Sequence, residues 1–209
     1  MIFSRLRYFA FRLLSKRPFS SKANYNGNLI AGENLSILKQ RLKNNHPTEL
    51  QSTAFLATEH LDLGNSLMDI IRRYGKPAYI NTHKTGAVKH DVVLYKRIIR
   101  GFKVRVIYNF INEHPASVTF QISVATQQQL QSINDFVAST YLQGKFPEES
   151  QFSVIDSKGN KLDYNYAFDV KLTFINNDAE VIQNINSALY QHRYSHERYA
   201  PSNKFELSM

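Results

Sequence analysis

Two runs of residues in the middle of the chain alternate apolar and polar side chains. Phe102, Val104, Val106, Tyr108 and Phe110 alternate with Lys103, Arg105, Ile107 and Asn109, and Val118, Phe120, Ile122 and Val124 alternate with Ser117, Thr119, Gln121 and Ser123. A period of two belongs to strands that bury one face and wet the other, the habit of antiparallel sheets. Arg100-Gly101 and Asn112-Glu113-His114-Pro115 supply turn chemistry at the ends of the first run, and a further strand at 88–99 pairs before it.

Helical spacing flanks this block. Leu35, Leu38 and Leu42 recur every three or four residues and predict a helix at 34–44, stopped before Pro47. Ser66 caps a second helix, Asp69 complements its N-terminal dipole, and Tyr74-Gly75-Lys76-Pro77 ends it. Thr126 with Gln129 reads as a capping box, and Leu130, Ile133, Phe136, Val137 and Tyr141 carry the helix to 142. A hairpin follows, from Phe152–Ile155 through the Asp156–Asn160 turn to a strand over 162–175. A last helix starts at 178, capped by Asn177 or Asp178, with Val181, Ile182, Ile185 and Leu189 on its apolar side. In the 162–175 strand Tyr164, Tyr166, Phe168, Val170, Leu172 and Phe174 point one way, a stripe that needs a cover or lines a pocket. The reading is an α+β fold, an antiparallel β-sheet with helices packed on one face, in the order α-α-β-β-β-β-α-β-β-α.

The ends of the chain differ from this domain. Residues 1–22 contain six basic residues and no acid. On a helix Arg5, Arg12 and Lys16 share one face and Ile2, Phe3, Leu6, Leu13 and Leu14 the other, with Arg7 and Arg17 off the pattern. Arginines break its apolar residues into runs too short for a secretory signal, and no window of about 18 apolar residues spans a membrane. With the Arg17-Pro18-Phe19-Ser20-Ser21 stretch, this leader resembles a mitochondrial presequence. It also suits a helix resting on an anionic membrane surface, or the basic terminus of a bacterial protein. Residues 23–33 read as a linker, 34–195 as one domain and 196–209 as a polar tail. The leader accounts for six of the nine formal positive charges, so residues 23–209 carry 20 basic and 17 acidic residues. Nucleic-acid binding is therefore not favoured by net charge. The absence of cysteine excludes disulfides, thiolate metal sites, thiol nucleophiles and a lipidated cysteine within this chain.

Residues 64–77, Gly-Asn-Ser-Leu-Met-Asp-Ile-Ile-Arg-Arg-Tyr-Gly-Lys-Pro, fit a pattern in which Gly-x-Ser opens a helix and Gly-x-Pro closes it. Together with Leu94-Tyr95-Lys96 and Val104–Phe110, the stretch 64–124 resembles the small outer-membrane lipoproteins of the SmpA/OmlA type, which help assemble β-barrel proteins. The resemblance implies a capped helix leading into three strands. It carries over no functional residue.

Chemical motifs are sparse. His192 and His196 have the four-residue spacing of helical zinc ligands, but no third ligand is identifiable and a solvated helix end, with histidines near the negative pole of the dipole, is the favoured reading. His83, His90 and Asp91 could form an acid–base pair on neighbouring strands. No phosphate-binding glycine loop or serine elbow is present. Lys96, Arg97, Arg100, Lys103 and Arg105 place five cations in ten residues, either a patch for phosphates, anionic lipid or an acidic partner, or edge-protecting charges on a solvated face. The expectation is a non-catalytic binding or accessory module without a cofactor, holding a protein partner in a mitochondrial process, in the matrix or at the inner-membrane surface, or a bacterial one in the cytoplasm or on a membrane. The alternatives are a small apolar-ligand or lipid binder, with the Tyr164–Phe174 stripe lining its cavity, and an RNA-associated accessory protein of organelle translation.

Overall fold

The structure, a computed structural model, describes residues 26–27, 30, 35–43, 48–52, 54, 56, 65–85 and 87–198. The leader, most of the linker and the tail beyond Arg198 lie outside these residues. In chain order the elements are α1 (Leu35–Lys43), β1 (Glu49–Gln51), α2 (Leu67–Tyr74), β2 (Tyr79–Thr85), β3 (Val88–Ile99), β4 (Phe102–Ile111), β5 (His114–Ser123), α3 (Gln127–Tyr141), β6 (Gln151–Ile155), β7 (Lys161–Tyr166), β8 (Asp169–Ile175) and α4 (Ala179–Arg198). The class is α+β, with one eight-stranded sheet in the order β1-β6-β7-β8-β5-β4-β3-β2. Every neighbouring pair is antiparallel except β1 with β6, so the sheet is mixed.

Local chemistry sets the element ends. Ser66 accepts from the Asp69 N–H at 3.3 Å while Asp69 accepts from the Ser66 N–H at 3.2 Å, a reciprocal capping box. The Ser66 hydroxyl also donates to the Asp69 carboxylate, and this bond leads the contacts that hold its pKa below the ordinary carboxylate value. Thr126 caps α3 through the Gln129 N–H, but the Gln129 side chain reaches back to the Ala125 N–H, one residue before the cap. Asp178, rather than Asn177, receives the first free N–H groups of α4, from Glu180 and Val181. Two-residue turns join β3 to β4 and β4 to β5. Arg100 and Gly101 have φ of 47° and 83°, and Asn112 and Glu113 have 49° and 72°, the paired left-handed conformation that suits the twist of a hairpin.

The helices occupy both faces of the sheet, which corrects the one-face expectation. On one face Val93, Tyr95, Val106, Tyr108, Phe110 and Val118 meet Leu67, Ile70 and Tyr74 of α2, and Leu130, Ile133, Val137 and Tyr141 of α3. On the other, Val88, Ile111 and Ala116 meet Leu38 of α1 and Val181, Ile185 and Leu189 of α4, while Ile30 packs on Val92, Leu94 and Ile107. The reason lies in β3 and β4, whose residues 92–95 and 106–111 are buried on both sides. The alternation in β4 breaks at Ile107 and Ile111, and these apolar residues on the supposed wet face demand a second cover.

The element order departs from expectation at two places. Glu49–Gln51 is too short and polar to show a period, yet pairs with Ser153–Ile155. The expected strand at 162–175 is two strands, β7 and β8, hairpinned so that Leu162 faces Phe174, Tyr164 faces Leu172 and Tyr166 faces Val170. Folding a period-two stripe back on itself keeps its even residues on one face, except at the turn. Phe168 stands there, 95% exposed. The rest of the stripe is core: the Tyr164 ring stacks on Phe152 at 4.7 Å and meets Phe146 edge-on at 5.2 Å, and Phe174 meets Tyr141 at 5.8 Å. Tyr164 donates its hydroxyl to Asn134 Oδ1 of α3 at 2.8 Å, and burial, with Tyr166 adding to it, pushes its pKa up to about 12. It therefore remains a neutral donor that fastens helix to sheet.

Candidate functional site

The β3–β4 hairpin carries the cationic cluster, and its register sorts the five side chains. Lys96 lies opposite Arg105 and Ile98 opposite Lys103, while Arg97 lies opposite Val104. Alternation therefore puts Lys96, Lys103 and Arg105 on one face and Arg97 on the other. Arg105 donates to Gln121 Oε1 at 3.0 Å, and Gln121 in turn donates to Asp169 Oδ2 at 2.9 Å. Lys96 donates to Asn26 Oδ1 at 2.7 Å, and Asn26 donates to the Ala78 carbonyl. Arg100, at the turn, and Lys103 are exposed.

Arg97 serves the fold. Its guanidinium donates to the Tyr74 carbonyl at 2.5 Å and lies over the rings of Tyr74 and Tyr95, 5.1 and 5.2 Å from their centroids. Tyr95 donates its hydroxyl to the Gly75 carbonyl at 3.0 Å. Both bonds satisfy carbonyls at the end of α2, where a cation also complements the helix dipole. Arg97→Met should lower unfolding free energy by about 1.5 kcal/mol, visible as a reduced urea midpoint. An unchanged midpoint would show that the clamp contributes nothing.

That clamp draws the last turn of α2, with Arg72, Arg73 and then Lys76, up to the hairpin. All three are exposed, with Arg72 3.4 Å from Asp69. Residues 65–111 thus contain ten Lys or Arg against two Asp, a net charge of +8. Residues 23–64 and 112–209 together contain ten Lys or Arg against fifteen Asp or Glu, a net of −5. The near balance of the body as a whole conceals this segregation. One of the two acids in the positive region, Asp91, is buried, with Thr82 donating to it at 2.5 Å and Lys89 Nζ at 2.8 Å. The hydrogen bond to Asp91 is the leading reason the Lys89 pKa is raised. Lys84 and Lys89 pair at the far end of β2 and β3, so it is Arg72, Arg73 and Lys76 with the five hairpin cations that concentrate positive potential at the hairpin and the end of α2. The chemistry of that end is the capture of anions.

The other candidate residues separate. His83 lies opposite His90, but His90 and Asp91 are successive residues of one strand and face opposite sides, so the three form no acid–base pair. His90 instead shares a hydrogen bond with Asn109 Oδ1 at 3.0 Å, and Asn109 donates to Ser117 at 3.1 Å, a buried polar row across three strands. Sequence reasoning missed this row because its members look like wet-face residues. His192 and His196 fall within α4, but their side chains lie outside the described residues, as do Arg5, Arg7, Arg12, Lys16 and Arg17. Among the described residues no three His, Asp or Glu side chains gather as metal ligands, and no helix is long and apolar enough to cross a membrane.

No family model, curated protein or solved structure matches the chain. Residues 66–75 form a capped helix that leads into antiparallel strands.

Proposed function

We propose that this chain is a non-catalytic binding or accessory module that docks on an anionic partner through the β3–β4 hairpin and the adjoining end of α2. The observation that carries this reading is the segregation of charge, +8 within residues 65–111 and −5 over the rest of the domain and tail. A solvated sheet with edge-protecting charges needs scattered lysines, not eight cations, three at the end of α2 and five on the β3–β4 hairpin, gathered at one end. The apolar-ligand reading has less support, because the aromatic stripe expected to line a cavity is packed ring against ring. The basic, acid-free leader supports a mitochondrial address, in the matrix or at the inner-membrane surface.

The test is retention on an immobilised polyanion at low salt, comparing Arg100→Glu/Lys103→Glu with Lys145→Glu/Lys158→Glu. Both variants change net charge equally and both alter exposed residues. The hairpin variant should elute at clearly lower salt than the wild type and the second variant close to it. Equal losses in the two would reduce the surface to bulk charge and refute the reading.

A further inference from the structure

We infer that the docking surface is built for the headgroup layer of an anionic lipid membrane, entered by two hairpin tips at one end of the sheet. The inference rests on the reading above, that this end is the docking surface, and names its partner.

The register brings the tips together. Val104 pairs with Ile122 and Ser123 pairs with Asp169, so the β3–β4 turn and the β7–β8 turn project from the same end. The axes of the two hairpins are three strand spacings apart, about 14 Å. Each tip presents large apolar side chains to solvent: Ile98 is 73% exposed and Ile99 41% exposed on the first, and Phe168 is 95% exposed on the second. Ile98 and Ile99 directly precede Arg100, and Lys103 lies opposite Ile98. Of the nearby acids, Asp169 accepts from Gln121, and the exposed Glu148 and Glu149 lead into Ser150, whose carbonyl accepts from the Tyr166 N–H beside the second tip, so the cations belong to the first tip and the second offers Phe168.

An RNA base would stack on Phe168 but gains nothing from the aliphatic Ile98 and Ile99, and an acidic peptide would be met by the cations alone. A lipid interface needs both components: cations that hold anionic headgroups and apolar side chains that enter the acyl boundary. The register of the two hairpins places these groups at one level without a spanning helix.

The chain contains no tryptophan, so one introduced residue reports its own surroundings. Full-chain Phe168→Trp, Ile98→Trp and, as a control on α3, Phe136→Trp are mixed with phosphatidylcholine vesicles containing or lacking phosphatidylglycerol. The first two should shift their emission to the blue and be quenched by brominated acyl chains on anionic vesicles alone, with the control unchanged. Phe168→Ser should lower the vesicle partition coefficient about tenfold, and Arg100→Glu/Lys103→Glu at least about tenfold. Vesicle binding without a change at either tip, as binding through the leader alone would give, overturns the inference. Retention on poly-glutamate or RNA without vesicle binding also overturns it and leaves the docking reading standing. Failure to bind any of these probes removes both.

Discussion

Phe152→Ala should lower the unfolding free energy by about 4 kcal/mol, the largest single-residue loss expected in this protein. Phe152 is fully buried on β6, with its ring stacked on Tyr164 at 4.7 Å and an interplanar angle of 10°, and Phe146 edge-on at 5.3 Å. Removing the ring deletes the partner of two other aromatics and leaves a cavity between sheet and covering loop. The neighbours cannot collapse into it without moving Tyr164 away from Asn134 on α3. Urea denaturation followed by far-ultraviolet circular dichroism measures the loss. A change under about 1 kcal/mol would mean that this end of the core is loosely packed and would reopen the cavity reading.

Asp156→Ala should cost about 3 kcal/mol for a different reason. The carboxylate is buried and accepts four bonds: from the Leu56 N–H at 2.9 Å, the Lys158 N–H at 2.9 Å, the Asn160 N–H at 2.9 Å and the Asn160 side chain at 3.0 Å. It thereby ties the β6–β7 turn to a segment 100 residues earlier in the chain. Asn160 extends the knot to α4 by accepting from the Asn177 N–H at 3.0 Å. Gly159, at φ of 80°, completes the turn where a β-carbon would collide with Asn177 Nδ2. Burial pushes the Asp156 carboxyl up, but the bonds from Asn160, Leu56 and Lys158 outweigh it and hold its pKa below the ordinary value of 3.8. A folded pKa below the unfolded one gives stability that is fully present above pH 4 or so and lost as pH falls through the folded pKa. The stability gap between wild type and Asp156→Asn should therefore narrow as pH falls below about 4. A gap independent of pH would show that the carboxylate's charge is not what the knot uses.

Much of the sheet was legible because its strands obey a period of two and end in turn residues. The capped starts of α2 and α3 were legible for the same kind of local reason. The second helical layer was not, since it follows from Ile107 and Ile111 breaking an otherwise regular alternation. Nor was the split of 162–175, because Tyr166-Ala167-Phe168-Asp169 lacks the Gly, Pro or Asn that marks most turns, and a folded stripe keeps the parity of a straight one. Within the candidate site, the cationic cluster could be read as a cluster but not sorted. Only the Tyr74 carbonyl and two tyrosine rings distinguish Arg97, which holds α2, from Arg100 and Lys103, which face solvent. The exposure of Phe168 depended on a turn that no local signal marked, whereas Arg100-Gly101 marked the turn beside Ile98.

The central claim is that this chain meets an anionic partner through one end of its sheet. Lysine acetylation footprinting, with and without saturating poly-glutamate at low salt, tests it most directly because exposed lysines lie both inside and outside that surface. Lys76 and Lys103 should be protected several-fold in the complex, while Lys145 and Lys158 keep their free rates. Protection spread evenly over all four, or greater at Lys145 and Lys158, would contradict the account.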